Sequence, residues 1–325
     1  MNNKKFNYSL KKLINKSYKK CKTFPSRLPP VDRIIVIGDL HGDWDATIQS
    51  LKIARVIDNN NNWIGDDTVV VQIGDQIDRC RNFPCDNPNS TKNDEASDIK
   101  IMLYFTHLHT QAQKDGGAVY SVIGNHELMN VTGDMRYVSY ENIKEFDKLY
   151  KKSGMESRII AFKPGNPIAN FLACTRQMVL IIGTNLFVHA GIIPEIVEEY
   201  TVDEMNEKLS LYLQNKLEET MENDVLFLDI NKSPLWTRIF GVSNKSEVEC
   251  DKLMSTLKKK YNVDRIFVGH TPQINKGISN ICNGKIWQVD YGASKAFDIG
   301  LNNQTNKRVF QVVEILNDNN ITIIS

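Results

Sequence analysis

Short apolar runs along this chain each end at a glycine or histidine and a polar cluster. Arg33-Ile34-Ile35-Val36-Ile37 is β-branched, too short for a helix and stopped by Gly38, so it predicts a strand. Asp43 stands at an N-cap position before the apolar pattern of 46–51, which predicts a helix. Residues 68–73 and 118–123 repeat the strand signal and stop at Gly74 and Gly124. Their largely apolar character suggests strands covered on both faces. Residues 178–182 and 186–188 flank Gly183-Thr184-Asn185, a hairpin signal, and His189 follows directly. Residues 265–268 precede Gly269, and 308–324 read as two strands around Asn317-Asp318-Asn319-Asn320. A helix is expected over 95–114, after an exposed loop at 81–94 rich in Asn, Pro, Ser and Asp. Residues 130–175 hold helical pieces broken by Gly and Pro, a candidate cap.

The clusters carry the chemistry. They are Gly38-Asp39-Leu40-His41-Gly42, Gly74-Asp75-Gln76-Ile77-Asp78-Arg79, Gly124-Asn125-His126-Glu127, His189-Ala190-Gly191 and Gly269-His270-Thr271. In layered α/β folds the loops past successive strands gather at one edge of a sheet, so distant segments become neighbours. Asp39 and His41, two apart on an extended segment, point to the same side and can grip one ion. Asp75 offers two oxygens, which suits a bridge between two ions. Asn125, His189 and His270 would complete a second, mixed oxygen and nitrogen site. Such ligands suit manganese, iron or zinc. Two ions about 3.5–4 Å apart can hold a phosphate and lower the pKa of a shared water, giving a hydroxide placed for in-line attack. Glycines 38, 74, 124 and 269 are expected to allow the tight turns this requires.

Composition narrows the setting. The 325 residues permit one large domain, and a hydrophobic fraction of 41% with 24% charged residues is that of a soluble globular protein. A net charge of +1 gives no global case for nucleic acid. No apolar run approaches the roughly 20 residues needed to span a bilayer. The six cysteines form no CxxC pair and no secretory signal is evident, so free thiols and an intracellular, cytoplasmic location are expected. Residues 1–30 form a basic extension ended by Pro25, Pro29 and Pro30, ahead of a catalytic domain over 31–325. The extension reads either as a solvated tail or as a basic helix that touches an acidic or membrane surface. Phe6, Leu10, Leu13 and Ile14 would share one side of that helix.

In order and residue type the clusters resemble the calcineurin-like metallophosphoesterases, from about Arg33 to Asp290. The form of 74–79 and the Glu127 after His126 resemble the phosphoprotein phosphatase branch. The resemblance implies an α/β fold: a layered, β-sandwich-like core flanked by helices, with the site on loops at strand C-terminal ends. It implies two metal ions, manganese foremost, held by Asp39, His41 and Asp75 and by Asp75, Asn125, His189 and His270. It also implies His126 as general acid oriented by Asp78, with Arg79 on the phosphate. Ile123 stands where an Arg precedes this cluster in the best-known eukaryotic enzymes, and Cys80 where Gly is usual. Both departures, with Val289-Asp290-Tyr291-Gly292, look closer to the bacterial-type branch that includes the Shewanella-like protein phosphatases. Pro234-Leu235-Trp236-Thr237-Arg238 resembles a segment of that branch and makes Arg238 a second phosphate ligand.

The expected activity is hydrolysis of phosphate monoesters on protein Ser or Thr, with Tyr also open. A small phosphorylated molecule, such as a dinucleoside polyphosphate or phosphosugar, is the alternative substrate. A catalytically silent metal-binding module is the alternative of another class, and Asp78, Arg79 and His126 argue against it.

Overall fold

The computed structural model describes residues 6, 8–16, 18, 24–218, 224–242, 245–298 and 309–325. In chain order its strands are β1 (Arg27–Leu28), β2 (Arg33–Ile37), β3 (Val69–Gln72), β4 (Ala118–Ser121), β5 (Val179–Ile182), β6 (Asn185–Val188), β7 (Arg265–Val268), β8 (Ser279–Ile281), β9 (Ile286–Gln288), β10 (Val312–Leu316) and β11 (Asn320–Ile324). One sheet runs β11-β10-β2-β3-β4, the other β1-β5-β6-β7-β9-β8. Strands β2, β3 and β4 pair in parallel, as do β6, β7 and β9.

The two sheets pack face to face. The period-2 alternation of strand side chains sorts the core. Leu180 and Ile182 of β5 share one core with the apolar residues of β2 and β3, whereas Val179 and Ile181 face the second core, under the helices. Phe187, Phe267 and Trp287, aligned across β6, β7 and β9, stack in the first core with ring centroids 5.1 and 6.0 Å apart. The outer face of the first sheet is covered by α2 (Trp44–Ile53) and α3 (Asp98–Ala112). Asp43 caps α2 by accepting from the Ala46 N–H at 3.0 Å. This is the layered α/β architecture that the sequence implied, with each cluster following a strand.

Residues 125–175 fold as α4 (Asn125–Thr132), α5 (Tyr140–Lys144), α6 (Gly154–Phe162) and α7 (Pro167–Thr175). They bury Phe146, Phe162, Ile168 and Phe171 in the second core. The apolar side of the N-terminal segment is also spent inside the molecule. Leu10 and Leu13 of α1 (Leu10–Asn15) are buried in that core, where α1 meets α7, and Phe6 packs on Tyr104 and Trp44. Lys11, Lys12 and Lys16 are exposed, while Lys4, Lys5, Lys19, Lys20 and Lys22 lie outside the described residues. None of the described helices is long and apolar enough to cross a membrane.

The cysteines overturn one expectation. Cys80 is bonded to Cys85 and Cys250 to Cys282, and Cys174 is also in a disulfide. Among the described residues no cysteine is free. Pairing depends on how closely two Cα atoms approach in the fold, here 5.8 and 5.4 Å, which spacing along the chain does not report. The thiol argument for a reducing compartment therefore falls away.

If the docked α1 is part of the folded core, Leu13→Ala should lower unfolding stability by about 2–4 kcal/mol in a denaturant titration. An unchanged midpoint would mean that this helix does not pack as described.

Candidate metal and phosphate site

The loops after β2, β3 and β4 meet those after β6 and β7 at one end of the sandwich. Backbone bonds fasten them: Leu40 and His41 N–H groups donate to the Asp75 carbonyl at 3.0 and 2.9 Å, and Gly269 N–H donates to the His189 carbonyl at 2.7 Å. Glu127 acts as a staple. Its buried carboxylate accepts from Asp75, Gln76 and Gly124 N–H groups at 3.0, 2.7 and 2.7 Å, tying the second cluster to the third.

The backbone here is strained. His41, Asp75, Asp78 and His270 all have positive φ, at 40°, 50°, 71° and 65°. Of the four cluster glycines expected to supply turns, only Gly74 has positive φ, at 85°. The others serve close approach. A Cβ on Gly124 would lie 2.1 Å from Asp75 Oδ1, and one on Gly269 would lie 2.1 Å from Asp39 Oδ1. Both carboxylates thus rest directly on glycine backbone.

All six expected ligands converge and are buried. Ligand atoms of His41, Asp75 and His126 lie within 4.8 Å of one another, and so do those of Asp75, His189 and His270. Asp75 belongs to both groups. Asp39 Oδ2 is 3.9 Å from His41 Nε2 and accepts the His270 N–H at 3.0 Å.

The ring orientations fit metal donors. A carbonyl can only accept, so the ring nitrogen facing it carries the proton. His189 Nδ1–H donates to Ile73 O at 2.8 Å and His270 Nε2–H to Trp236 O at 2.9 Å. Their other nitrogens both sit 2.8 Å from Asn125 Oδ1. Three lone-pair atoms that close together are relieved by a metal ion or a proton between them, or by the Asn125 amide turned to present Nδ2. Anchoring the far ring nitrogen is how metal-binding histidines are held. His41 has two suitors: Nδ1 lies 3.2 Å from Ile77 O and 2.9 Å from Arg81 Nη2. Only the Ile77 bond leaves Nε2 as a lone-pair donor toward Asp39 and Asp75.

The electrostatics point the same way. Burial and the neighbouring Asp290 and Asp75 charges push Asp39 well above the usual carboxylate range. Burial alone would raise Asp75, but the His189 and His126 rings outweigh it and hold Asp75 well below. Burial with Arg81 and His126 lowers His41, and burial with His189 and Arg238 lowers His270, so both rings favour the neutral, ligating form. Asp39 Oδ1 and Asp290 Oδ2 are buried without a hydrogen-bond partner. His189 goes the other way: burial would lower it, but the Asp75 charge and hydrogen bond raise it, so without a cation this ring favours a proton. Crowded buried carboxylates with orphaned oxygens, and a ring that draws positive charge to the same spot, fit bound divalent cations.

Beside the ligands, His126 Nδ1 bonds Asp78 Oδ2 at 2.9 Å, which leaves Nε2 free. The Tyr137 ring lies 4.9 Å from the His126 ring. Arg79 is buried and spent on Glu95 and the Gly42 carbonyl. Arg81, which the sequence assigned only to a loop, instead reaches His41 and lies between the Tyr137 and Phe297 rings, at 5.2 and 5.1 Å. Arg238 is exposed at the rim, donating to the His270 carbonyl at 3.0 Å.

Sequence reasoning assigned no role to Arg81, Asp290, Tyr137 or Arg158. Arg158 had one signal: it occupies a position on the buried stripe of α6, with Ser157, Ala161 and Phe162.

A two-sheet sandwich with Asp, His and Asn side chains gathered at its strand ends defines a metallophosphoesterase. The chain belongs to the calcineurin-like phosphoesterase family, whose family model matches residues 32–273, and it is a phosphatase of that type. It is 37% identical over 252 residues to the uncharacterised protein R398 of Acanthamoeba polyphaga mimivirus, covering 69% of this chain and 98% of that one. It is 28% identical over 336 residues to Shewanella-like protein phosphatase 2 of Arabidopsis thaliana, covering 92% and 79%. It shares its fold with the crystal structure of a cold-active protein-tyrosine phosphatase from a psychrophilic Shewanella species. The TM-score is 0.70 at 22% identity, covering 93% of this chain and 83% of that one.

Burial, with the nearby Asp75 charge, pushes Asp290 up to about 6, although the Gly292 N–H opposes the rise. A raised carboxyl favours the folded state at low pH and loses that contribution as pH rises through its folded value. Asp290→Asn should therefore raise the melting temperature of the metal-stripped protein at pH 8, with the gain shrinking toward pH 5. A gain that grows on acidification would contradict the charge crowding.

Proposed function

We propose that the chain is a dinuclear-metal phosphatase that hydrolyses phosphate monoesters on proteins, foremost on phosphorylated Ser and Thr. The observation that carries this reading is that Asp75 belongs to both groups of converging His and Asp atoms, while His126 of the first group is tied through Nδ1 to Asp78. The first ion would be held by Asp39, His41 and Asp75, the second by Asp75, Asn125, His189 and His270. Manganese suits this mixed donor set, with iron or zinc as alternatives. When bound, the ions supply Lewis-acid polarisation of the phosphoryl group and acidify the attacking water.

The chain's own residues do the rest. His126, protonated, delivers a proton from Nε2 to the leaving oxygen, while Asp78 on Nδ1 fixes the ring and stabilises the imidazolium. Arg238 and Arg81 would grip the phosphate oxygens, and Arg79 would join them on releasing Glu95. On this reading residues 31–325 are the catalytic domain, and 130–175 contributes the Tyr137 wall as a partial cap.

Protein substrates are supported by the relatives named Shewanella-like protein phosphatase. Phosphotyrosine is the second reading. It is favoured by the aromatic wall beside the proposed acid, where Phe83, more than half exposed, lies 5.3 Å from Tyr137.

Stripping metal should abolish hydrolysis of a generic aryl phosphate, and manganese should restore it. Activity that survives chelation and dialysis would count against the two-metal reading. His126→Asn should slow turnover on phosphopeptides by about 10²–10⁴-fold with metal content intact. An unchanged rate would remove His126 from the acid role.

A further inference from the structure

Behind the His126–Asp78 pair lies a fully buried guanidinium. Arg158 of α6 has no exposed surface, and neither does Asp98, the first residue of α3. Arg158 Nε donates to Asn130 Oδ1 at 2.9 Å, Nη1 to the Asn142 carbonyl at 3.4 Å and Nη2 to Asp98 Oδ2 at 2.8 Å. Nη2 is also 3.7 Å from Asp78 Oδ1. Asn130 in turn donates through Nδ2 to both Asp78 oxygens at 3.0 Å. Asp98 Oδ1 accepts the Asp78 N–H at 3.2 Å.

This chain of contacts has a direction. An Asn amide offers an acceptor at one end and donors at the other. Arg158 has only donors, so it forces Oδ1 of Asn130 toward itself and Nδ2 toward Asp78. Asp78 then presents Oδ2 to His126 Nδ1. A buried Arg with several fixed partners is costly to place for stability alone.

We propose that Arg158 is a positioning residue for catalysis, holding Asp78 and through it the proton-donating geometry of His126. This rests on the reading of His126 as general acid. Because α6 carries Arg158, the helical segment after the third cluster is mechanically part of the acid and not only a wall of the core.

The consequence is a dependence on the leaving group. From phosphoserine the leaving group is a serine alkoxide, which needs the proton; from 4-nitrophenyl phosphate it is a stabilised 4-nitrophenolate, which hardly does. Arg158→Lys keeps the charge but loses the planar fork. Its kcat on a phosphoserine peptide should fall by about 10–100-fold, against under about three-fold on 4-nitrophenyl phosphate, with metal content and KM unchanged. Asn130→Ala, which cuts the relay without removing the buried charge, should show the same split. It decides the matter if Arg158→Lys does not fold. His126→Asn is measured alongside. If His126→Asn shows the split while both other variants slow the two substrates equally, or slow neither, this proposal is overturned alone. If His126→Asn also shows no split, the general-acid reading fails and the proposal falls with it.

Discussion

The Asp75 carboxylate is the point on which the site depends. It lies at the end of a central strand, where both groups of ligand atoms meet. To stand there its backbone takes a left-handed turn after Gly74, itself left-handed. That path is held open by a close approach to Gly124, by the His126 N–H on Oδ1 at 2.9 Å and by the Glu127 staple on the Asp75 amide. The strain of several positive-φ residues is tolerated because hydrogen bonds from two sheets over-determine their positions.

A second principle is the separation of jobs across the sandwich. The first sheet supplies Asp39, His41, Asp75, Asn125 and the His126–Asp78 pair; the second supplies His189 and His270. Bonds that cross between the sheets set the spacing, notably His189 to Ile73 O and the His270 N–H to Asp39. The aromatic stack of Phe187, Phe267 and Trp287 runs across three strands of the second sheet beneath the site. Rigid walls matter because a loss of ångström-scale placement is expensive for a reaction that relies on position and charge. The same logic extends outward to Arg158, whose helix would brace the proposed proton donor from behind.

Much of this was legible in the sequence because a ligand that follows a strand leaves a local mark: apolar run, glycine, polar pair. Asp39, His41, Asp75, Asn125 and His270 announce themselves this way, His189 follows its apolar run directly, and the structure brings all six together. The sandwich followed from the family resemblance that these clusters carry. What stayed hidden depends on contacts far apart in the chain. Cys250 and Cys282 meet only because the helix Glu247–Tyr261 packs near the turn after β8. The apolar stripe of Leu10 and Leu13 would look the same whether it faced a membrane or α7. Arg79 and Arg81 sit in one loop, and only its path decides that the first turns to Glu95 and the second to His41. Asp290 is a strand-end carboxylate like the others, yet it acquires meaning only beside Asp39.

The central claim is that Asp75 joins two metal ions in one site. Anomalous X-ray diffraction from manganese-loaded crystals, collected on either side of the metal edge, tests it most directly. The account predicts two anomalous peaks about 3.5–4 Å apart with the Asp75 carboxylate between them. A single peak, or two peaks that do not share Asp75, would contradict it.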